Sequence, residues 1–158
     1  MAIYMKFGNV NGQVTTEGFV KWIELNSMQV GVGRGVSTGG GGQTREASAP
    51  SISEVVVTKP FDAASSGLFE DAVAGSFDTK VQIKFTTTTK NKVDTFLTYD
   101  LTDCGVSGYS TTSGGDLPQE SISLNFTKIM ISPSLLDIKG TPQAGSKVTY
   151  DLIKMVKS

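Results

Sequence analysis

Lys80-Val81-Gln82-Ile83-Lys84-Phe85 alternates polar and apolar side chains without a break. Successive side chains of a strand point to opposite faces, so Val81, Ile83 and Phe85 share one face and Lys80, Gln82 and Lys84 the other. The next long run repeats the pattern: Val93, Thr95, Leu97, Tyr99 and Leu101 align on one face of a strand predicted to continue to Ser107. Between the two, Thr86 to Thr89 with Lys90 and Asn91 read as a strand end and a turn. Toward the C-terminus, Ile122, Leu124 and Phe126 alternate with Ser121, Ser123 and Asn125. The phase then shifts at Lys128-Ile129, which predicts a bulge or a crossing between sheets. Residues 148–156 are expected to form the last strand. Toward the N-terminus, residues 3–7 read as a short strand ending at a Gly8-Asn9 turn. Residues 19–32 read as a longer extended run, with Trp22, Glu24, Asn26, Met28 and Val30 alternating with Ile23, Leu25 and Ser27. Residues 52–58 carry the β-branched triplet Val55-Val56-Val57.

One segment reads as helical, residues 65–74. Ser65 or Ser66 is its expected N-cap, Gly75 its expected C′ residue, and Gly67 weakens its first turn. Leu68, Phe69, Ala72 and Val73 form the apolar stripe, with Glu70 and Asp71 assigned to the solvent side. Burial of Leu68, Phe69 and Val73 would contribute about 1.5–3 kcal/mol each. Many strands and one short helix predict a mainly β chain, a barrel or a sandwich with the helix packed on one side. A length of 158 residues fits a single domain spanning 1–158 with one core. Residues 33–50 stand outside the pattern: they have no period, almost nothing to bury, and the glycine run at 39–42. A structureless loop of that length in a compact chain is usually functional or disordered, and this one is expected to project.

The chemistry on offer is sparse. With no histidine, the commonest general base and metal ligand is missing, and Ser-His-Asp or Cys-His arrangements are impossible. One cysteine without histidine makes a poor zinc site, so no metal, no cofactor and no catalytic residue is expected. The neighbouring acids Glu70 with Asp71 and Asp100 with Asp103 read as solvated groups rather than catalytic pairs. Cys104, among small and apolar residues, reads as a quiet buried thiol. The glycines at 31–35 and 39–42 lack a following Lys-Ser/Thr and open no helix, so they do not form a phosphate loop. Lys+Arg 14 against Asp+Glu 15 leaves a net charge of -1 with no basic cluster, which argues against nucleic-acid binding. No run approaches the ~20 apolar residues of a spanning helix, so membrane insertion is not expected. The N-terminus lacks the charged and apolar regions of a signal peptide. The chain is expected to begin in the cytoplasm and to leave, if it does, without a cleaved signal.

Several stretches resemble the Hcp tube proteins of the bacterial type VI secretion system. Gly18-Phe19-Val20-Lys21-Trp22-Ile23-Glu24-Leu25 resembles that family's Gly-x-x-x-Trp-Ile-Glu-Val segment. The run at 39–42 matches its glycine-rich loop, and Thr58-Lys59-Pro60-Phe61-Asp62-Ala63-Ala64-Ser65 its Thr-Lys-x-x-Asp-x-Ala-Ser lead into the helix. Residues 99–110 and 118–129 carry the most specific likeness, which fades beyond about Ile131. The chain departs from the family at Ser27-Met28-Gln29-Val30-Gly31, where a Ser-Trp-Ser-Trp-Gly stretch is usual, and at Gly12-Gln13-Val14, where Gly-Glu-Ser is usual.

The resemblance implies a closed antiparallel β-barrel of two packed sheets with one flanking helix and a long extended loop. It implies homohexameric rings stacked into an exported tube, with a spike protein, a contractile sheath and secreted effectors as partners. Effectors would ride in the ring lumen. The loop residues Gly39, Gly40, Gly41, Gly42, Gln43, Thr44 and Arg45 would then touch the next ring. With Ser158 as the last residue, no toxin extension is expected. The low charged fraction, 18% against ~25% typically, suits surfaces that pack on copies of the chain. Two other readings stand beside this one: a tail-tube protein of a contractile phage or bacteriocin, and a monomeric β-barrel effector holding a ligand in its mouth. An enzyme ranks last.

Overall fold

The computed structural model describes residues 1–38, 45–136 and 142–158. β1 (Ala2–Phe7) is followed by the short strands β2 (Ile23–Leu25), β3 (Ser27–Gln29), β4 (Val32–Gly33), β5 (Val36–Thr38), β6 (Arg45–Ala47) and β7 (Ser51–Ile52). β8 (Val55–Pro60) leads into the helix α1 (Ser65–Ala74). The two long strands come next, β9 (Thr79–Thr89) and β10 (Lys92–Thr112), then β11 (Gln119–Asn125) and β12 (Lys128–Leu136). β13 (Pro142–Ala144), β14 (Val148–Asp151) and β15 (Val156–Lys157) complete the described chain.

The stretch Lys80–Phe85 sits at the centre of β9, paired with β1 on one edge and β10 on the other. β9 and β10 join through Lys90 and Asn91, both at positive φ (49° and 64°), as a two-residue hairpin turn matched to strand twist requires. β12 lies on the far edge of β10, followed by β14 and β15, so the first sheet is wide. Its rows follow from register. Met5, Ile83, Tyr99, Ile131 and Val148 stand opposite one another on the inner face, and Lys6, Gln82, Asp100, Met130 and Thr149 on the outer. The second sheet is narrower: β3, β8, β11 and the C-terminal half of β10. It presents Val55, Val57, Ile122 and Leu124 inward, each 0% exposed, against Met5, Ile23, Ile83 and Leu101 of the first. Each of these buried aliphatics contributes about 1.5–3 kcal/mol.

β10 belongs to both sheets. Its pairing with β9 slips between Leu101 and Cys104, and Asp103 adopts φ 49°. On the facing chain β11 ends at Asn125 and β12 begins at Lys128, with the Thr127 amide donating to the Thr102 carbonyl at 3.0 Å. The phase shift read at Lys128-Ile129 is therefore a crossing from one sheet to the other.

The structure corrects several expectations. Among the described residues the ladder does not close into a barrel: β2 pairs there only with β1 and β3 only with β8, so the sheets meet through the chain turn at Asn26 rather than through a ladder. Residues 19–32 are not one run. Phe19 to Trp22 is a turn, with Lys21 at φ 65° and the Trp22 amide on the Phe19 carbonyl, and it lays Phe19 on Tyr4 at 4.7 Å between ring centroids. Residues 148–156 fold as the β14–β15 hairpin rather than one strand. The face from Val93 to Leu101 is interrupted by a register slip between Thr95 and Leu97, which turns the Phe96 ring toward Phe85. Residues 33–50 are not structureless where described: β4 pairs with β7 and β5 with β6, making an antiparallel ribbon. Ser53 and Ser48 hold it, their hydroxyls accepting the amides of Gly31 and Gly35.

The helix has the expected bounds but not the expected face. Leu68 is 0% exposed, whereas Phe69 and Val73 are 55% and 69% exposed. Asp71, assigned to solvent, accepts the Val106 amide at 2.8 Å and thereby satisfies β10 beside its bulge at Ser107. Ala64, not Ser65 or Ser66, occupies the N-cap, with no side-chain cap bond. Gly75 is extended (φ -69°) rather than left-handed; a Cβ there would stand 2.5 Å from the Asp71 carbonyl oxygen, which is why glycine sits at this close approach.

Candidate assembly surface

Ser65 is drawn away from capping by a buried polar cluster at the start of α1. Lys59 and Glu120 are cross-strand partners on β8 and β11, both on the inner face, 0% and 2% exposed. The Lys59 ammonium donates to Glu120 (2.5 Å) and Ser65 (3.2 Å), and pairs with Asp62 at 2.8 Å. The Ser65 hydroxyl donates to Glu120 at 2.8 Å while accepting the Asp62 amide, and Asp62 Oδ1 accepts the Ala64 amide. Every member is paired, as buried charge demands. The cluster pins residues 59–65 and fixes where α1 starts. Its signal was present in the sequence: Lys59 is in phase with Val55 and Val57, and Glu120 with Ile122 and Leu124.

The titratable groups singled out from sequence do not converge. Glu70 is exposed and Asp71 serves Val106. Asp100 accepts from the Gln82 amide at 2.7 Å, and Asp103 from the Thr127 hydroxyl at 3.2 Å. Cys104 is 0% exposed; burial, reinforced by the Asp71 charge and opposed by a backbone hydrogen bond at Gly105, pushes its thiol up to about 12. Thiolate is the reactive form, so a thiol reagent at pH 8 should label Cys104 only as fast as the fold opens. Rapid labelling of folded protein in a stopped-flow assay would contradict that placement. Among the described residues no group of three or more His, Cys, Asp or Glu is placed to hold a metal, and no helix is long and apolar enough to cross a membrane.

Among the described residues, two open apolar surfaces stand out. The first arises because the first sheet is wider than the second. Its inner row is sealed at Met5 and Ile83 but half-open at Tyr99 and Ile131, and Val148 is 40% exposed. The base of the ribbon, Val32, Pro50 and Ile52, lies over this overhang with Val30 and Gly31, and a groove of about 350 Å³ lies between them, lined also by Lys157. The second is the outer ridge of α1, where Phe69 meets the Tyr109 ring edge-on at 5.7 Å and Val73 follows one turn later. Neither surface was legible beforehand as a surface, because apolar periodicity marks what is apolar and not what covers it. Of the predicted contact residues, Arg45 lies exposed on β6 opposite Thr38. Gly39, Gly40, Gly41, Gly42, Gln43 and Thr44 lie outside the described residues.

A mainly β chain of two antiparallel sheets with a flanking helix and open apolar surfaces is the build of a packing subunit. The sequence matches the family described as "Type VI secretion system effector, Hcp" over residues 4–132, and the chain belongs to the Hcp family of type VI secretion tube proteins. A solved structure of "a type six secretion system protein" is similar at 29% identity and TM-score 0.87, covering 99% of both chains. Hcp1 from Salmonella typhimurium shares the fold at 16% identity and TM-score 0.74, covering 99% of this chain and 98% of its own. The anti-feeding prophage cap, an AFP tube-terminating cap, shares it at 10% identity and TM-score 0.59, over 84% and 88%. No curated protein matches the sequence.

Proposed function

We propose that the chain, folded as a single domain, is the structural subunit of a type VI inner tube, forming six-membered rings that stack, are driven out of the cell by a contracting sheath behind a spike, and carry effectors in the lumen. The family match over residues 4–132 carries this reading. The open groove and the exposed helix ridge support it, since apolar surface left uncovered in one copy is buried by assembly. The chain acts by packing and not by chemistry. It assembles in the cytoplasm and is exported without a cleaved signal. Export tests the reading: the protein should appear in the culture medium of intact cells and vanish from it when the sheath is deleted. Sheath-independent export would contradict it. A tail-tube protein of a contractile phage or bacteriocin shares the mechanical logic, and neighbouring genes for phage capsid or tail assembly would favour that alternative.

In this reading residues 39–45 make the stacking contact, and the exposure of the flanking strands β4 and β5 supports that assignment. Replacing residues 39–42 with a short rigid turn should leave rings intact and shorten or abolish tubes in electron micrographs. Unchanged tube length would remove the ribbon from the stacking contact.

A further inference from the structure

The two open surfaces differ in charge as well as in position. Residues 61–78 hold Asp62, Glu70, Asp71 and Asp78 and no lysine or arginine, so the ridge of Phe69 and Val73 sits in an acidic stretch. Residues 145–158 hold Lys147, Lys154 and Lys157 against Asp151 alone. Asp151 is already engaged. The Lys154 and Ile153 amides and the Lys128 and Lys154 charges hold it below the usual carboxylate range, and Lys128 approaches it at 4.0 Å. The rim of the groove is left basic at Lys157. The ridge neighbours Tyr109, near one end of β10, and the groove is lined by Tyr99, roughly 30 Å away along a strand. The two surfaces therefore do not meet within one chain.

We infer that the Phe69–Val73 ridge of α1 in one copy seats in the groove of the next copy between Ile52, Ile131 and Val148, with Glu70 facing Lys157. The inference rests on the self-assembly reading above and names the surfaces that perform it. Unlike patches meeting head to tail form a heterologous contact, which propagates and closes into a ring when the rotation between copies allows. The fit is chemical on both counts: an aromatic and a branched side chain enter an apolar groove, and an acidic flank meets a basic rim. Aromatic anchors in apolar pockets dominate such interfaces, and the flanking charges set register and partner choice.

Cysteine pairing tests the contact directly. The native thiol at Cys104 is buried and leaves the assay clean. Val73→Cys with Val148→Cys in one chain should give a ladder of disulfide-linked oligomers on a non-reducing gel. The two single variants mixed should stop at the dimer, and neither alone should link. Charge reversal supplies the second readout. Glu70→Lys and Lys157→Glu should each weaken self-association on the order of tenfold, and the two together should restore much of it. All four positions are exposed, so the variants should melt with the unaltered protein. If the unaltered protein forms rings while the double-cysteine variant gives no ladder and the reversals change nothing, the ridge-to-groove contact is wrong and the ring reading stands. If the unaltered protein stays monomeric at every concentration, both fall together.

Discussion

Lys59→Met destabilises the folded chain by about 3–5 kcal/mol, the usual consequence of leaving one partner of a buried ion pair alone. The side chain is 0% exposed, and its removal strands the Glu120 carboxylate, itself 2% exposed, with the Ser65 hydroxyl as its remaining side-chain hydrogen-bond donor. Asp62 loses its ion pair in the same step, so the residues leading into α1 loosen. Urea unfolding followed by the fluorescence of Trp22 measures the effect as a lower midpoint at unchanged slope. The double variant Lys59→Met/Glu120→Leu should recover most of the loss, because an apolar pair of similar size needs no charge partner. A single variant within about 1 kcal/mol of the unaltered protein, or a double variant no better than the single, would mean that the cluster does not hold β8, β11 and α1 as described.

Leu68→Ala costs about 2–5 kcal/mol, the range for truncating a fully buried leucine. Leu68 is the one large helix side chain sealed in the core, in the same buried cluster as Phe7, Cys104 and Val106. The cavity left behind has little chance to collapse, since Gly67, the preceding residue, already lies against Val10, where an added Cβ would stand at 3.0 Å. Phe69→Ser and Val73→Ser make the contrast. They remove side chains more than half exposed and should cost less than about 1 kcal/mol in the isolated chain. If all three substitutions destabilise the monomer alike, the helix is turned the other way and the ridge is core.

The contrast also shows why the helix was only half legible in the sequence. The stripe of Leu68, Phe69, Ala72 and Val73 located it to the residue. The core, however, takes the side that carries Leu68 and Asp71 and leaves Phe69 and Val73 outside. An apolar residue held for a partner and one held for the core have the same hydropathy. Strands were readable where a face is fully buried, as at Val81 and Ile83, or Ile122 and Leu124. They failed where the backbone departs from regular pairing: at the Phe96 slip, at the Phe19–Trp22 turn and at the β14–β15 hairpin, whose inner positions open onto the groove. The ribbon formed by β4 to β7 left no trace for another reason. Backbone ladders and serine hydroxyls on glycine amides hold it, and such bonds leave no hydrophobic period. Lys59 and Glu120 carried a readable signal, since two opposite charges in core phase on two strands mark a buried pair.

Assembly is the central claim, and the mass of the native particle decides it most directly. Light scattering behind a sizing column, at several loading concentrations, should give about six times the 16.7 kDa of one chain, with annular particles in negative stain. A mass of 16.7 kDa at every concentration, with no rings on the grid, would contradict the account and return the groove to the monomeric ligand-binding reading.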